Sequence, residues 1–170
     1  MNIKEMRKQL ERKGDIPTEL IGYWRAYGNR YEFRDDGRYY VWALNKPYQL
    51  IESGMVLVYS GIRYERVYGE PSELIGVWVL EDDPAEEWYL RHDGTYNIHW
   101  SDEEYFGEYS YNDTEITSCE MACLYNNSSG VLTIDPPYSP ILEATWTLDE
   151  PYLTIIDPFG TTVYSRETID

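Results

Sequence analysis

The chain lacks long hydrophobic runs, and its first residues lack an apolar stretch. No segment approaches the roughly 18 consecutive apolar residues that a membrane-spanning helix needs, so we expect no membrane span. Residues 1–7, MNIKEMR, lack the apolar stretch of a secretory signal. These two absences together favour a cytoplasmic protein.

Residues that build metal or redox sites are scarce. The only cysteines, Cys119 and Cys123, lie four positions apart in a predicted strand, which separates them by roughly 13 Å and prevents a disulfide. The only histidines, His92 and His99, fall in a predicted hairpin loop and on the polar face of a strand, where we expect His99 to lie opposite Glu87. We therefore predict two free thiols, no metal and no cofactor.

The charge is distributed unevenly along the chain. Residues 71–170 contain two basic side chains, Arg91 and Arg166, against 21 acidic ones, a net charge of −19. Binding to phosphates requires cations, so this segment is not expected to bind nucleic acid. The same charge permits a basic protein partner, or it serves only to keep an aromatic-rich protein soluble.

An internal repeat is the strongest positive signal. The segment Pro17–Trp24, PTELIGYW, returns 54 residues later as Pro71–Trp78, PSELIGVW. The likeness continues from 31–39 to 88–96, and both copies end on similar segments, RYER at 63–66 and VYSR at 163–166. A repeated segment of this length indicates that one structural unit was used twice.

The rest of the pattern predicts an all-β fold. Short strands separated by Gly-, Pro-, Asn- and Asp-containing turns run from Pro17 onward, with separate strands expected at 38–44 and 47–52. Before them, Ile3, Met6 and Leu10 recur at helical spacing. We expect an N-terminal amphipathic helix at 1–15, a shortened β repeat at 16–70 and a larger β unit at 71–170.

The two Asp-Gly hairpins are specific enough to predict strand register. A type I turn closed by a glycine bulge pairs Phe33 with Tyr39 in the first repeat and Leu90 with Tyr96 in the second. This register gathers apolar side chains on one face in both repeats, whereas a slip of one residue would disperse them. In the second repeat that face holds Trp88, Leu90, Tyr96, Ile98 and Trp100.

A strand that begins Gly-x-Trp, a meander of antiparallel strands and an arginine in the closing strand resemble the lipocalin-like, or calycin-like, group. The matching residues are Gly22 and Trp24 with Arg66, and Gly76 and Trp78 with Arg166. The resemblance implies a closed antiparallel barrel in which the arginine packs across the tryptophan. A guanidinium over an indole is a favourable contact in its own right.

Two non-enzymatic functions follow from these patterns. The resemblance implies a binding protein for a small apolar ligand, with a cavity lined by Trp88, Leu90, Tyr96, Ile98 and Trp100. The alternative is an acidic interaction module of the inhibitor or immunity type, which binds a basic protein; it depends on carboxylates interleaved with aromatic residues, as in segment 100–106. The sequence leaves the oligomeric state open.

Overall fold

The structure, a computed structural model, describes residues 15–128 and 130–168. The predicted helix at 1–15 falls almost entirely outside the described residues. Two 3₁₀ turns, Thr18–Leu20 and Glu52–Gly54, are the helical elements of the described part. No helix in that part is long and apolar enough to cross a membrane.

The described residues form fourteen strands joined by short turns, as an all-β antiparallel meander. Their bounds are β1 Gly22–Ala26, β2 Asn29–Phe33, β3 Arg38–Ile51, β4 Val56–Tyr59, β5 Ile62–Tyr68, β6 Gly76–Leu80, β7 Glu86–Leu90, β8 Thr95–Trp100, β9 Glu103–Tyr111, β10 Glu115–Ser128, β11 Val131–Asp135, β12 Leu142–Asp149, β13 Tyr152–Asp157 and β14 Gly160–Glu167. Consecutive strands are hydrogen bonded, β1 also pairs with β14, and β3 pairs with β10. The order of strands is therefore a ring, which is consistent with a barrel-like fold.

The predicted hairpin registers are confirmed. Phe33 lies opposite Tyr39, and Leu90 lies opposite Tyr96. Gly37 and Gly94 have φ angles of 83° and 80°, the left-handed conformation that the bulge requires. The local turn chemistry therefore sets the same geometry in both repeats.

The break expected between strands 38–44 and 47–52 is absent, because β3 is continuous. Asn45 adopts a φ of 50°, a local kink rather than a chain reversal. Backbone groups on either side have partners, since the Asn45 N–H donates to Thr117 Oγ1 and the Tyr48 N–H donates to the Thr114 carbonyl. A strand continues where its backbone groups find partners.

The chain divides into two compact units, and the division does not follow the repeat boundary at residue 70. Unit 1 comprises Met1–Trp42 and Met121–Asp170, and unit 2 comprises Ala43–Glu120. Unit 2 is thus inserted in the sequence of unit 1, within the long strands β3 and β10. The repeat is nevertheless visible, because its two copies begin at corresponding strands, β1 in unit 1 and β6 in unit 2.

Each unit has its own core beneath its tryptophan. In unit 1, Trp24 is fully buried and its Nε1 donates to the Leu20 carbonyl at 2.9 Å. In unit 2, Trp78 is fully buried and its Nε1 donates to the Leu74 carbonyl at the same distance. The core clusters are Leu20, Trp24, Phe33, Tyr125, Leu132, Ala144, Leu153 and Ile155 in unit 1, and Leu57, Tyr64, Leu74, Trp78, Leu90, Tyr96, Ile98, Tyr109 and Ile116 in unit 2.

Candidate functional site

An arginine guanidinium packs over the ring of each tryptophan, but the arginines and tryptophans are paired differently from the prediction. Arg166 lies over Trp24 and Arg66 lies over Trp78, each at 4.2 Å from the guanidinium carbon to the ring centroid. Each pair is a direct cross-strand pair, in β1–β14 and in β5–β6. The expectation assumed that the closing strand follows the opening one, whereas in unit 2 the strand with Arg66 precedes the strand with Trp78.

The two arginines have different hydrogen-bond partners. Arg166 holds the Glu150 carboxylate through Nε and Nη2 and donates to the Glu19 carbonyl. Arg66 donates to three backbone carbonyls, those of Gly54, Glu73 and Ile75. Burial lowers the pKa of Arg66, and the nearby carboxylates of Glu70 and Glu73 raise it by a smaller amount.

The five residues predicted to line a cavity share one face of β7 and β8 in unit 2. The register places Trp88 opposite Ile98, and Leu90 opposite Tyr96. Leu90, Tyr96 and Ile98 are buried and Trp88 is half-buried, whereas Trp100 is 44% exposed. The face therefore lines the interior over most of its length, and Trp100 extends to the surface.

Aromatic rings fill the interior of unit 2. Trp88 stacks on Tyr96 at 6.0 Å between ring centroids, and Tyr64 meets Trp88 edge-on at 5.3 Å. Between them remains a void of about 20 Å³, with Leu57, Tyr59, Leu90, Tyr109, Ile116 and Ser118 completing its lining. A void of this volume admits about one water, whereas small-molecule sites measure roughly 300–1,000 Å³.

Carboxylates gather around the exposed end of this aromatic face. We call the set Asp83, Glu86, Trp88, Trp100, Glu103, Tyr105 and Glu120 the acidic end of unit 2. Glu86 and Glu103 lie on the strands either side of Trp100, each directly opposite it. Glu86, Trp100 and Glu103 therefore form a row across β7, β8 and β9, with a carboxylate on each side of the indole.

Hydrogen bonds from the rings orient these carboxylates. The indole Nε1 of Trp88 donates to Glu86 Oε2 at 2.8 Å, and that of Trp100 donates to Asp83 Oδ2 at 2.9 Å. The Tyr105 hydroxyl donates to Glu103. Each acidic group keeps further acceptor positions, since a carboxylate can accept about four hydrogen bonds.

Unit 2 as a whole is acidic, and two of its carboxylates, Glu86 and Glu120, interact unfavourably. Unit 2 contains 17 acidic and four basic side chains, a net charge of −13. Burial raises the pKa of Glu120, and the charge of Glu86 raises it further. A cation placed among these groups would relieve the repulsion between them.

An open cleft of about 760 Å³ lies elsewhere in unit 2, beside Arg66. Of the five predicted cavity residues, Leu90 alone lines it. Its apolar lining also includes Met55, Val67, Tyr68, Ile75 and Val77. Val67 and Tyr68 are exposed at a bulge of β5, which the sequence pattern did not indicate.

The histidines and cysteines form no chemical site in the described residues. His99 lies opposite Glu87 as expected, but its Nε2 pairs with Glu104 Oε1 at 3.0 Å. Glu87 instead accepts a hydrogen bond from the Tyr89 hydroxyl at 2.6 Å. Cys119 and Cys123 are buried and form no disulfide, and within residues 15–128 and 130–168 no three His, Cys, Asp or Glu side chains are placed to hold a metal ion.

The chain matches no protein-family model, no curated protein and no solved structure. The evidence for the candidate site therefore comes from the geometry and the charge of its own residues.

Proposed function

We propose that the protein is a non-enzymatic interaction module that binds a basic protein through the acidic end of unit 2. The supporting observation is that carboxylates from β7, β9 and the β6–β7 turn meet around one exposed indole, Trp100. The void beneath is too small for an organic ligand, so this surface is better suited to a side chain than to a small molecule. An inhibitor or immunity-type role fits this binding mode.

A lysine or arginine of the partner supplies the complementary chemistry. Its cation would lie over the exposed Trp100 ring while its N–H groups donate to Glu86 and Glu103. Such contacts are worth more when partly desolvated, and Trp88 and Tyr105 provide an apolar base. The net charge of −13 would accelerate the encounter at low ionic strength.

Binding of a fluorescently labelled lysine- and arginine-rich peptide, followed by anisotropy, tests this proposal. Replacing Glu86→Gln together with Glu103→Gln should weaken binding by about tenfold or more at low salt. The matched control, Glu70→Gln with Glu73→Gln, removes the same charge from exposed positions elsewhere in unit 2. It should have a much smaller effect.

Two results would contradict the proposal. An equal loss in both double variants would mean that net charge alone attracts the peptide. Binding that does not weaken as salt rises would exclude an electrostatic interface. Circular dichroism of each variant establishes that the fold is retained.

A lipocalin-like binding protein for a small apolar ligand is the second candidate, and the open cleft of about 760 Å³ favours it. The cation–indole pairs at both opening strands also fit a lipocalin-like relation. An apolar fluorescent dye should then bind to the cleft, and Ile75→Asp should abolish its signal. Glu86→Gln with Glu103→Gln should leave dye binding unchanged, which separates the two functions.

Both candidates are compatible with a reducing compartment such as the cytoplasm. Cys119 and Cys123 form no disulfide, and such cysteines suit a compartment in which disulfides are not maintained.

A further inference from the structure

Two arginines line the open cleft of unit 2, and each has a counterpart in unit 1. Arg66 corresponds to Arg166, since each covers the tryptophan of its unit. Arg91 corresponds to Arg34, since each lies two residues before the Asp-Gly pair of its repeat and the two hairpins share one register. The two units therefore place equivalent side chains in two different surroundings.

In unit 1 a carboxylate of the chain pairs with each of these arginines. Arg166 Nη2 lies 2.6 Å from Glu150 Oε1, and Arg34 Nε lies 2.7 Å from Glu32 Oε1. Glu32 is only 8% exposed, so its carboxylate is largely shielded from water. The fold thus accommodates an acidic side chain beside each arginine.

At the position of Glu150, unit 2 has Gly54. The backbone sets this equivalence, because the next residue in each unit, Met55 or Pro151, accepts the N–H of the arginine. Gly54 offers only its carbonyl oxygen, at 2.8 Å from Arg66 Nε, and two further backbone carbonyls accept from the same guanidinium. These partners satisfy the N–H groups of Arg66 but do not neutralise its charge.

At the position of Glu32, unit 2 has Tyr89, which lines the cleft. The Arg91 guanidinium donates to the neutral amide oxygen of Asn97. Asp93 is near enough to interact with Arg91, but its carboxylate is hydrogen bonded within its own turn. At both arginines of the cleft, a neutral group therefore stands where unit 1 has a carboxylate.

The surface beside these arginines is ionic in unit 1 and apolar in unit 2. The residue after the arginine that covers the tryptophan is Glu167 in unit 1 and Val67 in unit 2. Glu167 accepts two hydrogen bonds from Arg30, each at 2.8 Å. Val67 instead is exposed on the lining of the cleft, together with Tyr68 and Met55. Exposed apolar side chains around a concave surface are typical of a binding site.

We propose that the cleft binds an amphipathic carboxylate, a small molecule with an aliphatic chain and one carboxylate group. The carboxylate pairs with Arg91, which is exposed and keeps further N–H groups, and Arg66 adds a second positive charge to the lining. The aliphatic chain lies on apolar side chains such as Val77 and Leu90. The inference rests on the second candidate function, the binding of a small molecule in this cleft.

Two carboxylates of the lining determine where the anionic group lies. Glu70 and Glu73 are exposed on the loop between β5 and β6, and their charges act on Arg66. They repel an anion from that side of the cleft, so the carboxylate of the ligand is expected at Arg91. The lining holds two arginines and two glutamates, whereas unit 2 as a whole has a net charge of −13.

Fluorescence titration of the full chain with a dansyl-labelled medium-chain carboxylate, and with its methyl ester, tests the proposal. We expect the acid to bind at least about tenfold more tightly than the ester, because only the acid forms charge-assisted hydrogen bonds with a guanidinium. Tyr89→Glu supplies the carboxylate that unit 1 has at this position, and it should abolish the preference for the acid. Arg91→Gln should do the same, and Arg91→Lys, which keeps the charge, should retain part of the preference.

Two matched variants separate the local charge from the total charge. Arg63→Gln removes a basic side chain of unit 2 that does not line the cleft, and the ratio of acid to ester affinity should not change. Glu70→Gln removes a repulsive charge from the lining and should raise the affinity for the acid by about threefold, with the ester unaffected.

The outcomes distinguish this inference from the function on which it rests. Equal binding of acid and ester would overturn the inference and leave ligand binding in the cleft intact. Binding of neither probe would overturn both. A preference for the acid that survives both Arg91→Gln and Tyr89→Glu would also overturn the inference, because the carboxylate would then lie elsewhere.

Discussion

Replacing Arg66 by methionine should destabilise the protein considerably more than replacing Arg166 by methionine. Arg66 is 7% exposed, and its loss leaves three carbonyls, those of Gly54, Glu73 and Ile75, without their donor. A buried acceptor that loses its donor costs roughly 1–3 kcal/mol and the contact with the Trp78 ring is worth about 1 kcal/mol, so we expect Arg66→Met to cost about 3–5 kcal/mol.

Removing Arg166 leaves fewer buried groups without a hydrogen-bond partner. Its main partner is the Glu150 carboxylate, whose side chain is 55% exposed and can be hydrated instead. We expect Arg166→Met to cost about 1–2 kcal/mol, chiefly the contact with Trp24 and the bond to the Glu19 carbonyl. The difference between the two variants is therefore about 1–4 kcal/mol.

Urea unfolding monitored by tryptophan fluorescence and by circular dichroism measures both losses. If the two units unfold in separate transitions, each variant should shift the transition of its own unit. Arg63→Met is the control, because Arg63 is exposed and ion pairs at the surface contribute little to stability. A cost for Arg166→Met that equals or exceeds that for Arg66→Met would refute the reasoning.

Glu167→Gln should remove stability that depends on pH, because hydrogen bonds from Arg30, and also from Arg25, lower the pKa of Glu167 to about 2. That contribution is present above its ordinary value of 4.5 and is lost as pH falls from 4.5 towards 2, so wild type and variant should differ at pH 7 and converge near pH 2 in urea unfolding. Gly107→Ala should cost about 2–4 kcal/mol, since a Cβ there would lie 2.1 Å from the Cys119 carbonyl oxygen. Gly61→Ala, at a φ of +81° with nothing within 4 Å, should cost only about 1 kcal/mol, and equal melting temperatures would contradict this account.

Local sequence chemistry predicted the hairpins because their determinants lie within a few residues. The Asp-Gly turns set the pairing of Phe33 with Tyr39 and of Leu90 with Tyr96 by backbone conformation alone. The same argument identified the face of unit 2 that turns inward. It did not identify Trp100 as exposed, since burial at a strand end depends on what lies beyond it.

The candidate site was only partly predictable. The segment around Trp100 was recognisable as acidic and aromatic, but Glu120 joins Glu86 only through the pairing of β9 with β10. The filled interior of unit 2 could not be predicted from the sequence, because the number of tyrosines does not show which of them point inward. Ring packing across strands that are distant in sequence decides the volume that remains.

The sequence by itself determined an all-β meander, its hairpin registers and the four residues of the two cation–indole pairs. Only the tertiary structure decided that Arg66 belongs to Trp78 and Arg166 to Trp24, and that unit 2 interrupts unit 1. The physical reason is that turn conformation is a local property of the backbone. The choice of partner for a strand is a long-range one, made by burial and hydrogen bonding between segments such as β3 and β10 that are far apart in the chain.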